Sequence, residues 1–368
     1  MIRGASNGEP PPPPSEVLKP DGITPEGLTI ALQRGGHLSR GRVERVVVES
    51  SRATLLSTVA RLRLEYSPGT DAQLPARLFL KASHPDPKPE LVASSLKEVA
   101  FYETVARLMP HAIVPHCYDV ARDPGAGIFH LLLEDLAETH FIVTEWPLPP
   151  TVEQCERIID AYARFHAVWW NDPRLGVQVG TFMDEAALGQ WREHFQARFA
   201  GFVDRLGDRF SPGRRRIYER VIASWWKLLG RYRSREHLTL VHGDAHVWNS
   251  MYPRAPATDS VRLIDWDAWR LDLGVQDLAY MMAVHWYPER RRRLETTLVR
   301  RYHEGLLTHG VTGYDFGALW LDYRLSVVWQ LRVPVWQSSV KLGPWIWWSH
   351  LERVLQAFED LGCEELLD

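Results

Sequence analysis

Two short polar clusters in the second half of the chain carry the strongest chemical signal. Residues 242–249 read H-G-D-A-H-V-W-N, and residues 264–267 read I-D-W-D. An apolar, strand-like segment precedes each cluster, so we expect both clusters to project from strand ends into one place. Asp244, Asn249 and Asp265 would then offer carboxylate and amide oxygens, which Mg²⁺ accepts together with phosphate and water. The spacing therefore predicts a divalent-metal site.

Such a site suits phosphoryl transfer, in which the protein mainly positions the reactants and neutralises charge. One aspartate must orient the attacking hydroxyl and accept its proton, and we assign this catalytic role to Asp244. Asn249 and Asp265 are then the metal ligands. Asp267 is a further candidate ligand, with capping of the loop as the alternative.

These residues resemble the motifs of the aminoglycoside phosphotransferase and choline kinase-like family, which shares the protein-kinase fold. The family's catalytic loop, H-G-D-x-x-x-x-N, matches residues 242–249, and its metal-binding element matches residues 264–267. Asp277 resembles the aspartate that braces the catalytic loop, and His166 resembles a structural histidine. Together these motifs are specific, whereas each alone is weak. The resemblance implies an ATP- and Mg²⁺-dependent kinase that phosphorylates a hydroxyl of a small molecule.

The first half of the chain supplies candidates for nucleotide binding. Lys81 ends a strand-like segment, and Glu98 lies on a largely apolar helix face, where a buried carboxylate needs a cation. We therefore expect a Lys81–Glu98 pair, which by resemblance binds the phosphates. Residues 131–136 resemble the family's hinge, which implies that backbone groups at Glu134 and Leu136 hold the adenine. The expected phosphate-covering loop, residues 50–58, lacks the usual glycine and leaves Ser57 or Thr58 as a donor, so the choice between ATP and GTP stays open.

The elements that position these residues change character along the chain. Strand-like segments at 43–49, 58–66, 76–82, 118–121 and 128–134 surround one helix at 90–109. Beyond residue 150 the pattern is mostly helical, at 152–170, 185–202, 213–229, 276–284, 289–308, 316–333 and 344–360, with short strands at 238–241 and 261–264. We predict an α+β, protein-kinase-like two-lobed fold, with a small antiparallel-sheet lobe carrying one helix and a larger helical lobe. The predicted domains are a disordered Pro-rich leader (1–20), a nucleotide-binding lobe (21–136) and a helical catalytic and substrate lobe (137–368).

Composition excludes several other classes of protein. A net charge of -3 gives no support for nucleic acid as a partner. No apolar run reaches about 18 residues and no signal pattern opens the chain, so we expect no membrane span and a cytoplasmic location. The three cysteines suggest no disulfide framework. The oligomeric state is not indicated.

Alternative interpretations remain open at this point. His242, Asp244 and His246 could instead form the metal site of a hydrolase. The glycine-free loop raises the possibility of a catalytically silent nucleotide-binding protein. Asp315-Phe316-Gly317 spells a protein-kinase metal motif, but its surroundings indicate a helix cap. The many late aromatic residues favour an apolar or amine-bearing acceptor, and the absence of a clustered acidic run argues against aminoglycosides.

Overall fold

The computed structural model describes residues 17–54, 57–71, 73–84, 89–109, 113–123 and 125–368, with the backbone alone at 89–94. The described residues belong to two compact units. Unit 1 comprises Met1–Leu108 and Pro115–Leu136, and unit 2 comprises Met109–Val114 and Ala137–Asp368. Most of the predicted Pro-rich leader lies outside the described residues. Its last part is ordered, since Leu18 is buried and its N–H donates to His130 Nδ1.

Unit 1 contains an antiparallel sheet with the strand order β1-β2-β3-β5-β4. Its strands are β1 (Val43–Ala53), β2 (Thr58–Tyr66), β3 (Arg77–Ala82), β4 (Cys117–Asp123) and β5 (Ile128–Glu134). Burial alternates along β2, because Leu62 and Leu64 are buried while Arg61 and Arg63 on the other face are more exposed. One face of the sheet therefore builds the core of the unit.

Helix α1 (Pro25–Arg34) covers part of this core. The side chain of Thr24 accepts a hydrogen bond from Gly27 N at 3.1 Å, and Pro25 occupies the first helical position. The buried leucines of α1 join the same apolar cluster as those of β2 and β3. The helix predicted at 90–109 is α2 (Pro89–Ala100), which continues through a π-helical turn (Phe101–Val105) and a 3₁₀ turn (Ala106–Leu108).

The predicted phosphate-covering loop, residues 50–58, is shorter in the structure, so the prediction of its extent is wrong. Strand β1 continues to Ala53, which pairs with Thr58 of β2, so most of the segment is strand. Thr54 N donates to Ser57 O at 2.7 Å and closes a tight turn, whose residues 55 and 56 lie outside the described part. The last residues of β1 are exposed on both faces, so no apolar alternation marks them as strand.

Unit 2 is mostly helical. Its helices are α3 (Val152–Val168), α4 (Glu185–Leu206), α5 (Pro212–Ala223), α6 (Trp225–Leu229), α7 (Val275–Ala279), α8 (Pro288–Thr308), α9 (Phe316–Gln330), α10 (Arg332–Ser339) and α11 (Pro344–Asp360). The predicted helix at 316–333 ends earlier, at Gln330. Pro334 has no N–H to donate to the Gln330 carbonyl, so the chain breaks and restarts as α10. No described helix has the length and apolar character needed to cross a bilayer.

Short strands in unit 2 hold the two polar clusters. Strand β7 (Leu238–Val241) pairs with β10 (Arg270–Leu273), whereas β6 (His140–Ile142), β8 (Ser250–Pro253) and β9 (Arg262–Leu263) form a separate sheet in the order β6-β8-β9. Each polar cluster therefore runs from one small sheet to the other. The strands before the clusters, β7 and β9, lie in different sheets and are not neighbours. The two clusters nevertheless meet, because both connect the same pair of sheets.

Candidate active site

The catalytic-loop candidate is held by a buried carboxylate. Asp277, at the start of α7, accepts hydrogen bonds from His242 N at 2.7 Å and from Gly243 N at 2.9 Å. His166 Nε2 lies 3.1 Å from the same carboxylate, and its Nδ1 lies 2.8 Å from the Tyr302 hydroxyl. Burial alone would raise the pKa of Asp277, but the hydrogen bonds from His166 and the loop hold it below its ordinary value. The predicted bracing role of Asp277 and the structural role of His166 are confirmed.

Gly243 allows the catalytic loop to approach the backbone directly after the second polar cluster. Its φ of 84° lies in the left-handed region, and an added Cβ would lie 2.2 Å from the backbone oxygen of Ala268. No side chain larger than hydrogen fits such an approach without movement of the backbone. The glycine of the H-G-D motif is therefore a packing requirement of this site.

The ring of His242 fastens the same two clusters. Nε2 donates to the Ile264 carbonyl at 2.9 Å, and Nδ1 accepts from Asp244 N at 3.3 Å, which assigns a neutral ring with the proton on Nε2. Burial lowers the pKa of His242 and favours this neutral form. Ile264 N also donates to the Asn249 carbonyl at 3.0 Å. Because both ring nitrogens are engaged, His242 is not available as a metal ligand, which is evidence against the hydrolase hypothesis.

The Asp244 carboxylate is oriented by neighbours on both sides. The Tyr280 hydroxyl donates to Oδ1 at 2.7 Å, and Asn249 Nδ2 donates to Oδ2 at 3.2 Å and to the Asp244 carbonyl at 2.9 Å. His246 Nε2 lies 3.4 Å from Oδ2. Burial, followed by the charge of Asp244, raises the pKa of Tyr280 well above its ordinary value, so this hydroxyl keeps its proton and donates.

Tyr280 is a site residue that the sequence analysis missed. It begins a π-helical segment, Tyr280–Val284, directly after α7. In the sequence it precedes an apolar run and so reads as a core aromatic. The signal available in the sequence was its position three residues after Asp277. The π-helical turn is visible only in the structure, and such turns frequently occur at functional sites.

The metal-ligand candidates share this region of unit 2. The Asn249 amide nitrogen is committed to Asp244, which leaves its Oδ1 as an acceptor. Asp265 has a φ of 68°, and its charge and that of Asp244 both act on His242. The charge of Asp267 acts on Tyr280 together with that of Asp244. The structure thus brings these residues to one neighbourhood.

The donor set fits a magnesium ion better than a zinc ion. Among the described residues, no three His, Cys, Asp or Glu side chains form a cluster that could hold a metal. A metal here would therefore depend on carboxylates, the Asn249 amide oxygen and ligands from outside the protein. Mg²⁺ accepts this arrangement, since it usually takes one or two carboxylates and completes its shell with phosphate and water.

Unit 1 contains the predicted cation–carboxylate pair. Lys81 Nζ on β3 lies 2.5 Å from Glu98 Oε2 on α2. The side chains are 13% and 3% exposed, so the carboxylate is buried while the ammonium keeps some access to solvent. The pair that the sequence predicts is present, and its role in binding phosphate stays a prediction.

The other nucleotide-binding candidates of unit 1 have other partners. Ser57 is fully buried, and its Oγ lies 3.1 Å from Thr54 Oγ1 inside the β1–β2 turn. Glu134 N donates to the His116 carbonyl at 2.8 Å, and its side chain accepts from His116 N at 3.2 Å. Leu136 is buried. In this conformation Ser57 stabilises the turn, and adenine binding at Glu134 and Leu136 stays a prediction.

Asp315 has the capping role expected from its surroundings. Its Oδ1 accepts a hydrogen bond from Ala318 N at 2.8 Å at the start of α9. The Asp-Phe-Gly sequence is therefore a helix start. It offers no alternative to Asp265 as the aspartate of the metal site.

Solved structures of small-molecule kinases resemble this chain at low identity. The GDP complex of an aminoglycoside 2'-phosphotransferase-IIIa variant is 12% identical, with a TM-score of 0.50, and the match covers 88% of this chain and 93% of that one. A choline/ethanolamine kinase family protein from Mesorhizobium loti is 13% identical, with a TM-score of 0.49 and coverage of 83% and 88%. An amicoumacin kinase in complex with AMP-PNP, Ca²⁺ and Ami is 14% identical, with a TM-score of 0.49 and coverage of 89% and 92%. The aminoglycoside phosphotransferase match confirms the predicted fold, a small antiparallel-sheet unit followed by a larger helical unit.

The sequence also matches a protein-family model. No curated protein matches the chain. The model of the ecdysteroid kinase-like family matches residues 53–311, well over half of the chain and including every candidate site residue. This match confirms the small-molecule kinase class that the motifs indicate. The chain belongs to the ecdysteroid kinase-like family.

Proposed function

We propose that this protein is an ATP- and Mg²⁺-dependent O-phosphotransferase that phosphorylates a hydroxyl group of a small molecule. The observation that carries the proposal is the Asp244 carboxylate, which Tyr280 and Asn249 hold on a loop braced by Asp277. A carboxylate fixed in this way suits a general base that must accept the proton of an acceptor hydroxyl. Membership of the ecdysteroid kinase-like family supports the same reaction.

Each half of the proposed machinery has its own task. In unit 2, Asn249 and Asp265 would hold Mg²⁺, with Asp267 as a further ligand. When bound, the metal neutralises the charge that develops on the transferred phosphoryl group. In unit 1, Glu98 holds the ammonium of Lys81 so that it can bind phosphate. Asp244 takes the proton from the acceptor oxygen as the new O–P bond forms.

Aromatic rings close to Asp244 support an apolar or amine-bearing acceptor. The ring of His246 lies 5.5 Å from that of Trp248 and 5.6 Å from that of His285, between centroids. Burial, followed by the charges of His350 and His246, lowers the pKa of His285 well below its ordinary value. The ring of His285 is therefore uncharged at neutral pH, and a flat apolar group or an amine can lie against it.

The test is turnover by an isosteric variant. Purified full-length protein, Mg²⁺ and ATP are incubated with a panel of apolar alcohols and amino alcohols, and ADP release is measured. Asp244→Asn should lower kcat by about 10²- to 10⁴-fold, because a general base is lost. Its ATP affinity, measured by thermal shift, should stay unchanged. Asp315→Asn, which changes a helix-cap aspartate in the same way, is the matched control and should keep full activity.

A second variant separates the metal role from the base. Asp265→Ala should weaken ATP binding in the presence of Mg²⁺ and leave binding without Mg²⁺ unchanged. Retained turnover in Asp244→Asn would refute the assignment of the base. Stabilisation of the wild-type protein by ATP without turnover on any acceptor would favour the silent nucleotide-binding protein, for which the tight glycine-free turn after β1 is the motivating observation.

A further inference from the structure

A large cavity in unit 2 is lined by residues outside the two polar clusters. Its volume is about 800 Å³, and it is lined by the start of α4, residues 229–235, the paired strands β7 and β10 and the facing parts of α9 and α10. Pockets for drug-sized molecules have volumes of about 300–1,000 Å³. The cavity is therefore large enough for a complete small-molecule ligand, and the phosphotransfer proposal assigns it no role.

Arg332 brings to this cavity a cation that has no hydrogen-bonded carboxylate among the described residues. Its guanidinium lies 5.0 Å from the centre of the Trp191 ring, and among the described residues no carboxylate or hydrogen-bond acceptor is paired with it. Burial, and next repulsion from Arg270, lowers the pKa of Arg332 to about 10. Arg231 shows the usual arrangement, since it binds both oxygens of Asp322 at 2.7 Å. A partly buried guanidinium without such a partner is costly unless an anion joins it.

The acidic residues of the cavity wall are already engaged or solvated. Asp272 accepts from Arg270 Nε at 2.9 Å through one oxygen and from Leu273 N at 2.8 Å through the other. Asp184 caps α4 by accepting from Ala187 N at 2.8 Å. Glu185 is exposed to solvent. These carboxylates therefore attract Arg332 only at a distance, and the N–H groups of Arg332 are left for a ligand.

Flat aromatic side chains form much of the remaining wall. They are Phe182, Trp191, Trp226, Tyr232 and Trp329. The rings of Trp191 and Trp329 lie 5.3 Å apart, and Trp226 is 38% exposed. Such surfaces favour a flat apolar skeleton, which buries area by stacking. We infer that this cavity binds an anionic small molecule with a flat apolar skeleton, whose acid group pairs with Arg332 between the tryptophan walls.

The cavity also adjoins the catalytic loop. Arg270 lines it, and a Cβ built on Gly243 would lie 2.6 Å from Arg270 Nη1. The binding inference does not depend on phosphoryl transfer, because it concerns the protein without nucleotide. Its failure and the failure of the proposed function are therefore separate results.

The experiment compares a charged probe with its neutral counterpart. Full-length protein is titrated with 2-naphthoate and with 2-naphthamide, without ATP, and quenching of tryptophan fluorescence is measured. The wild-type protein should bind 2-naphthoate more tightly. In Arg332→Met the ratio of the two affinities, 2-naphthoate over 2-naphthamide, should fall by about 10- to 100-fold, the equivalent of one charged hydrogen-bonded contact. Arg293→Met, on the exposed face of α8 and outside the cavity lining, should bind like the wild type.

Any of four results would overturn the inference. Equal affinity of the wild type for the two probes, or binding of neither, would show that the cavity has no preference for an anion. Retained preference in Arg332→Met would place the anion site elsewhere. The urea midpoint of Arg332→Met should equal or exceed that of the wild type, because an unpaired charge is removed. A large fall in that midpoint would show that Arg332 has a partner within the folded protein.

Discussion

Replacement of Asp277 by asparagine measures how firmly the catalytic loop is held. The buried carboxylate accepts from His242 N, Gly243 N and His166 Nε2. The amide of asparagine keeps one oxygen, and its NH₂ group must face at least one of these donors. The variant loses a charged hydrogen bond worth about 1.5–3 kcal/mol and leaves a buried donor unsatisfied at a further cost of about 1–3 kcal/mol. We expect the free energy of unfolding to fall by about 3–5 kcal/mol, the range for breaking a buried charged pair.

The pH dependence of this difference is a second, independent measurement. The pKa of Asp277 is lower in the folded protein than in the unfolded chain, where it is about 3.9. The stability that the carboxylate contributes is therefore fully present above the unfolded pKa and is lost as the pH falls through the folded pKa. Urea unfolding should give a constant difference between wild type and Asp277→Asn from about pH 5 to 8, and a smaller difference below about pH 4.

The matched control is the same substitution at an aspartate with a different task. Asp315 caps α9 on the surface, and asparagine caps a helix about as well as aspartate. Asp315→Asn should therefore change the unfolding free energy by less than about 0.5 kcal/mol. If Asp277→Asn unfolds within the same margin of the wild type, the carboxylate does not hold the loop and the reasoning fails.

Two further substitutions test the packing and the protonation of the site. Gly243→Ala should abolish ADP release and lower the urea midpoint, since the left-handed backbone alone costs about 1–2 kcal/mol and the Cβ meets the Ala268 oxygen. Gly201→Ala, in open space on α4, should leave the urea midpoint unchanged or raise it. An equal fall of the midpoint in Gly243→Ala and Gly201→Ala would contradict the argument. Burial, and next the charge of Arg353, lowers the pKa of His350 to about 4. The neutral ring of His350 therefore contributes stability above about pH 6.5, and this stability is lost as the pH falls toward the folded pKa. The Tm of His350→Gln should fall less steeply than that of the wild type over this pH range. Parallel curves of Tm against pH for the two proteins would contradict this.

The sequence alone predicts the parts of the site that depend on local spacing. The residues around Asp244 and Asp265 form contiguous motifs, so their chemistry can be identified from the order of residue types along the chain. The Lys81–Glu98 pair follows from a strand end and a helix face, because a carboxylate on an apolar face requires a cation. Most helix positions in the second half of the chain follow from apolar periodicity and helix-ending residues.

Tertiary structure decides the rest, because the partners are distant along the chain. Tyr280 orients Asp244 across 36 positions, and the exposed end of β1 is strand only because β2 pairs with it. Strand β10 is short and lacks a distinct pattern, yet its pairing with β7 brings the two polar clusters together. The unpaired state of Arg332 is likewise a property of its surroundings. A hydrogen bond, or the lack of one, depends on which groups folding brings within reach, and local sequence does not encode that distance.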